Sequence, residues 1–374
     1  MGFLFQFSMA VMTFSIFFNE LLRRTVNKVR LLRLTALATR LPLLILFFFP
    51  DNIFDLQNNV IYHYIFLGIF FVYYLASPLV LPAINLMLKK NYKHDNFSKF
   101  YSLISSISRI FLFITTFLFG MLLDEDPSIF RIVYPILGVL GVLSIVAFSF
   151  IPYEENREEV IIRKGFWGAI KESFVNMIFL LKQNKPYRDF EIGFMLYGFS
   201  FMITVSVIKI FFEEILSLNY SSISMYLNLQ VFLSIILLPL FGRLLGKIDP
   251  RKFSVFTYFA LALYIIFIET SEFVNYHFFI GDFKIYPTLI LAFVFYAIFA
   301  STMGLLWWIG SAYFCKSEEA GFYQSVHLTL TGVRALFAPL LGIFFYQVFG
   351  YFVTYSIAVF SLLLAVFLMI RSRR

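Results

Sequence analysis

Eleven stretches of this chain are apolar for long enough to cross a lipid bilayer, and that feature limits the fold more than any other. They lie near 2–19, 32–49, 62–87, 99–123, 130–151, 190–212, 223–245, 253–270, 285–311, 320–346 and 351–370. A helix needs roughly 20 residues to span about 30 Å of hydrocarbon. Backbone groups in lipid must bond internally, and the period-two alternation of a barrel strand is absent, so the runs read as helices. With 60 % hydrophobic residues, 14 % charged residues and 53 phenylalanines, no single soluble core could absorb the apolar surface. The expected fold class is therefore an all-α integral membrane bundle. The first run lacks a basic leader and a small-residue cleavage site before Glu20, and Gln6 breaks the myristoylation pattern.

Charge then orients the bundle. Alternate loops hold 24 basic residues, among them Arg23, Arg24, Lys28, Lys89, Lys90, Lys247, Arg251, Arg371 and Arg374, while the other loops hold only Arg131 and Lys284. Basic loops stay cytoplasmic. The expectation is a C-terminus inside, residue 1 outside, and a multi-pass protein of the cell (plasma or inner) membrane. Asp51, Asp55, Asp124, Glu125, Asp126, Glu213 and Glu214 fall in the outer loops. The net charge of +8 is thereby topological and implies no nucleic-acid partner. The single cysteine, Cys315, excludes an intramolecular disulfide.

The two parts of the chain repeat at an offset of 222 residues: Tyr74 falls on Tyr296, Phe100 and Tyr101 on Phe322 and Tyr323, and Gly120 on Gly342. The basic stretch "NELLRRTVNKVRL" at 19–31 falls on "FGRLLGKIDPRKF" at 241–253. A duplicated half predicts an N-terminal half over 1–151, a cytoplasmic linker over 152–188 and a C-terminal half over 189–374. Within the linker, "GFWGAIKESFVNMIFLLKQ" reads as an amphipathic helix on the membrane surface.

Two related helical halves, a long linker and a basic loop after the second helix of each half resemble the major facilitator superfamily of transporters. The family's loop signature, G-x-L-x-D-R-x-x-x-[RK], is matched by Gly242, Leu244, Lys247 (Lys for Arg) and Arg251. Gly246 stands where the family has Asp, and Arg24 does so in the first copy, so neither copy carries the signature carboxylate at that position. The resemblance implies six helices per half, whereas the first half here shows five. The offset places the counterpart of span 190–212 before Met1, so a first helix is expected to be missing from this chain. The true start is then expected upstream of Met1, the rival being a real eleven-helix protein. An in-frame stop codon between Met1 and the expected helix would sink the idea of an upstream start.

Four basic residues lie at membrane depth: Arg40, Arg109, Lys209 and Arg334. Each costs on the order of 2.5–3.5 kcal/mol at a helix centre, so each needs a cavity or a partner. Gln324, His327, Thr331 and Arg334 recur at i, i+3, i+7 and i+10, one polar face on an apolar helix. Ser102, Ser105, Arg109 and Thr116 show similar spacing. By the resemblance, Arg109 and Arg334 lie on cavity-lining helices. The candidate substrate-binding residues are Arg109, Arg334, His327, Gln324, Thr331 and Ser105. The competing reading has the Ser and Thr hydroxyls bonding helix to helix. Arg40 reads as a snorkelling residue or a partner of Glu20, and Lys209 as one reaching the interface or Glu213.

Nothing in the sequence supports enzyme chemistry or a cofactor. The four histidines are scattered, and no GxxxxGK[ST] loop or mid-membrane acidic pair occurs. Glu20, Glu191 and Glu269 fall near helix ends, so weak proton coupling is expected. The expected function is secondary active or facilitative transport of a small solute by alternating access, in a monomer. Two guanidiniums with no carboxylate evident at their depth point to an anionic solute. The alternatives are an exporter of amphiphilic compounds and a non-transporting polytopic protein.

Overall fold

The computed structural model of the protein describes residues 8–9, 11–25, 27–92, 94–126, 128–151, 165–281 and 283–372. Its helices are α1 (Ser15–Arg24), α2 (Lys28–Arg40), α3 (Ile53–Asn58), α4 (Val60–Tyr74), α5 (Ser77–Asn91), α6 (His94–Glu125) and α7 (Phe130–Phe148). They continue as α8 (Phe166–Gln183), α9 (Lys185–Ile210), α10 (Tyr220–Leu245), α11 (Pro250–Val274), α12 (Pro287–Leu305) and α13 (Ala320–Arg371).

Each of the eleven apolar runs holds a helix among its described residues, residues 2–7 and 10 of the first run lying outside them. Eight segments are long and apolar enough to cross a membrane, and the last of them, Ser317–Arg371, holds two of the predicted runs. The break between those two is Gly350, whose φ of 78° lies in the left-handed region that an L side chain avoids. The 32-residue α6 and the shorter apolar stretch Val11–Leu22 hold the other two runs. Run 62–87 is two helices, α4 and α5, separated at Leu75 and Ala76 just ahead of Pro78, which has no N–H to bond back to Tyr74.

Local chemistry sets the helix starts. The side chains of Asn27, Asn59, Asn184, Asn219 and Asp249 each accept from a backbone N–H of the helix that follows. Such caps stabilise by typically about 1 kcal/mol each. Pro186, Pro250 and Pro287 sit in the first turns of α9, α11 and α12, where no hydrogen bond is lost to them.

Two compact units emerge. The first comprises Met1–Tyr92, Phe111–Ile178 and Cys315–Gly332. Leu22, Leu32, Leu79, Val80, Ala83 and Met87 form one of its cores, joining α1, α2 and α5. Around Leu43, Leu46, Ile69 and Phe70 the start of α7 adds Phe130 and Tyr134. Of the expected linker, residues 152–164 lie outside the described residues, and Phe166–Gln183 forms the helix α8. It turns Ile170 and Ser173 inward, and Ser173 Oγ donates to the carboxylate of Glu20 at 3.3 Å.

The second unit comprises Lys93–Ile110, Phe179–Phe314 and Val333–Arg374. Here α11 and α12 pack along their lengths through aromatic stacks such as Tyr264 on Tyr296, with centroids 4.5 Å apart. The connection between them carries a two-stranded antiparallel hairpin, β1 (Phe278–Ile280) and β2 (Phe283–Ile285), in register Phe278 opposite Ile285. Tyr226 of α10 pins it: its hydroxyl accepts from Tyr286 N at 2.7 Å and donates to Lys284 O at 3.3 Å.

Candidate functional site

Arg334, in the second unit, is only 1 % exposed. Its Nη1 donates to the carbonyl of Phe194 on α9 at 2.6 Å. The rings of Phe194 and Tyr197 lie 5.8 and 5.7 Å from its Cζ, within cation–π range. This approach depends on Gly198, since a Cβ there would overlap the guanidinium. Arg334 Nε is buried and has no hydrogen-bond acceptor among the described residues.

Arg109 belongs to the same unit and is half-buried. Its Nη2 donates to Ala300 O on α12 at 3.1 Å, and Tyr296 lies within its electrostatic reach. An aromatic path joins the surroundings of the two arginines. Tyr197 lies 5.7 Å from Phe299, and Phe299 lies 5.8 Å from Tyr296. Tyr258 stacks on Tyr197 at 5.4 Å with ring planes 6° apart. Two guanidiniums and a run of π-faces thus share one unit.

The pattern of spans puts Glu191 at a helix end and leaves no carboxylate at the depth of the arginines. In the fold Glu191 is 2 % exposed, one turn before Phe194 on α9, and within electrostatic reach of Arg334. Arg334 therefore has a nearby counter-charge. The spacing of Glu191, Phe194 and Gly198 along α9 is visible in the sequence, but only the partner helix gives it meaning.

The other candidates fall as follows. Gln324, His327 and Thr331 lie on the stretch of α13 that belongs to the first unit, each at most 1 % exposed. Ser105 is half-buried in the second unit, while its neighbours hold helices together: Ser106 Oγ donates to Ile235 O at 3.3 Å. Glu20 pairs with Arg24 at 2.8 Å and not with Arg40. Arg40 instead donates to Thr39 Oγ1 and lies over the ring of Tyr73. Lys209 is exposed.

In the signature loop, Gly242 lets α10 pack directly on Ser98 and Ser102 of α6, where any Cβ would collide. Leu244 and Lys247 are exposed. Arg251 grips Asp249 through two nitrogens, at 2.7 and 3.1 Å, and donates to Ser372 O at 2.8 Å. Asp249, three residues after Gly246, thus supplies a carboxylate to this loop. A cavity of about 600 Å³ opens there, lined by Lys247, Asp249, Arg251 and Tyr313 among others.

Residues 1–306 match the sequence model of the Major Facilitator Superfamily. The chain belongs to that superfamily. Three solved structures with this fold are similar over nearly its whole length. The human organic anion transporter MFSD10 (TETRAN) is 13 % identical with a TM-score of 0.74, covering 98 % of this chain and 83 % of its own. The proton:xylose symporter XylE, bound to 6-bromo-6-deoxy-D-glucose, is 12 % identical with a TM-score of 0.66, covering 99 % and 85 %. The transporter FucP in its outward conformation is 12 % identical with a TM-score of 0.66, covering 99 % and 89 %. No curated protein matches the sequence. At these identities the likeness carries the fold, and the superfamily makes the chain a multi-pass membrane transporter of small molecules and not an enzyme.

Proposed function

We propose that this superfamily member carries a small organic anion by alternating access, with Arg334 and Arg109 as the anion-binding residues. The observation behind this reading is the buried Nε of Arg334, a cationic donor with no acceptor among the described residues. Guanidinium binds carboxylate or phosphate in two-point fashion, and a buried unmet donor costs about 1–3 kcal/mol. A carboxylate arriving there would remove that cost. The aromatic neighbours Phe194, Tyr197 and Phe299 suit the apolar part of such a solute. MFSD10, similar in fold, is described as an organic anion transporter. Gln324, His327, Thr331 and Ser105 are proposed as further contacts on their sequence pattern alone. A cytoplasmic C-terminus is proposed on the distribution of basic residues, and a monomeric state in the cell (plasma or inner) membrane is proposed with it.

A second reading is export of amphiphilic compounds over the aromatic surface. It is favoured by the fact that both guanidiniums already donate to helix carbonyls. Matched pairs of ligands separate the two. Benzoate and succinate are compared with benzamide and succinamide by thermal shift on the full-length protein, and uptake of the stronger anion is measured in proteoliposomes. An anion at 100 times its dissociation constant stabilises by about 2.7 kcal/mol, and its amide does not. Arg334→Lys and Arg109→Lys keep the charge but lose the fork, so uptake falls tenfold or more at equal protein levels. Normal uptake by both variants overturns the anion reading.

A further inference from the structure

Beyond the transport site, the second unit holds a cavity of about 680 Å³ where α9 begins and α13 ends. Lys185 and Arg188 come from the first turn of α9, Arg371 from the last turn of α13, and Phe367 and Ile370 form apolar wall. Both helices are long and apolar enough to cross a membrane, which places their ends, and the cavity, at the depth of lipid headgroups. We infer that this cavity binds the headgroup of an anionic phospholipid, with one acyl chain laid along α13.

Charge argues for the headgroup. Arg188 bridges to Asp189 at 3.1 Å, so that acid is already neutralised. Among the described residues neither Lys185 nor Arg371 forms a salt bridge, which leaves two cations at the rim for a phosphodiester. Arg371 is also held in place: Arg251, gripped by Asp249, bonds both the carbonyl and the hydroxyl of Ser372. Hydrophobicity argues for the tail. Phe360, Leu363, Leu364, Phe367 and Ile370 are all exposed and recur at helical spacing, one apolar stripe leading away from the cations. A soluble phosphate would use the rim and leave this stripe idle, whereas a lipid uses both.

The test is the melting temperature of the detergent-purified full-length protein with phosphatidylglycerol, phosphatidylcholine or glycerol 3-phosphate. Phosphatidylglycerol is expected to raise it by roughly 3 °C or more over phosphatidylcholine, and glycerol 3-phosphate to leave it unchanged. The double variant Lys185→Gln, Arg371→Gln loses most of that gain, while Arg243→Gln, Lys252→Gln, at exposed basic positions outside the cavity, keeps it. Equal shifts with the two lipids overturn the inference. So does a shift with glycerol 3-phosphate, which would mark a soluble-phosphate site, or an equal loss in both double variants, which would mark a diffuse basic surface. Should the cavity variant not fold, Phe367→Trp supplies the second readout. Brominated phosphatidylglycerol must quench its added fluorescence more than brominated phosphatidylcholine does, and equal quenching rejects the site.

Discussion

The guanidinium of Arg334 fills the space that a side chain at position 198 would need, so Gly198 and Arg334 are two halves of one arrangement. The glycine opens α9 at that turn, and the arginine enters to reach the carbonyl of Phe194. Neither residue can change without consequence for the other.

Gly198→Ala tests this by sign. In an ordinary helix the change stabilises by about 1 kcal/mol, through backbone propensity alone. Here the added methyl collides with a buried cation, and overpacking of this kind costs about 1–3 kcal/mol. A lower melting temperature and a lost response to benzoate are expected. In the background of Arg334→Met, much of the penalty should vanish, which a double-mutant cycle reads directly. A stabilised Gly198→Ala protein with its anion response intact would show that the two residues are not coupled.

Much of this architecture is legible in the sequence. Hydropathy marks the spans because lipid demands it, and Arg109 and Arg334 stand out because a charge in an apolar run is costly. Gly350 separates the last two runs as a glycine should. What stays hidden depends on which helices meet. Glu191 looks like a helix-end acid until α9 and the 334 region of α13 are placed together. Glu20 finds Ser173 across 153 residues of sequence, a pairing that no local pattern announces. The division of run 62–87 into α4 and α5 turns on Pro78, whose missing N–H a hydropathy window does not see.

Asp249 does two jobs that substitution can separate. Its side chain caps α11 by accepting from Arg251 N at 2.8 Å, and its charge holds the Arg251 guanidinium. Asn keeps the cap and loses the charge, while Ala loses both. Because the pair is partly exposed, Asp249→Asn should cost no more than about 1 kcal/mol. Asp249→Ala should cost about 1 kcal/mol beyond that. Melting curves of the two variants give the difference. Equal losses would mean that the cap contributes nothing.

Cys315, the only cysteine of the chain, offers a pH-dependent measurement. It lies between the spans that end at Phe314 and begin at Ser317. Burial pushes its thiol up to about 12, with the nearby Lys89 ammonium acting in the opposite direction. The thiolate is the reactive form, and an ordinary thiol titrates near 8.5. At pH 8 the thiolate fraction should therefore be lower by a factor on the order of 10³. Maleimide labelling followed by mass is expected to be slow in the folded protein and to quicken in SDS. It should accelerate about tenfold for each pH unit raised. Fast labelling at pH 8 in the folded protein would show that this half-buried thiol is not held above its ordinary range.

Removing the counter-charge separates stability from binding. Glu191 is buried and electrostatically coupled to Arg334. Glu191→Gln leaves the arginine with less negative charge around it, which disfavours a buried cation. The melting temperature should fall. The same change removes a negative charge that repels an incoming carboxylate, so the apparent affinity for benzoate should rise several-fold. Benzoate should also raise the melting temperature of the Gln variant more than that of the wild type, because the ligand then supplies the missing charge. Benzamide, isosteric but neutral, should affect both proteins alike. If benzoate affinity falls in Glu191→Gln, the carboxylate supports the site by some route other than charge, and Arg334 is not the group that meets the anion.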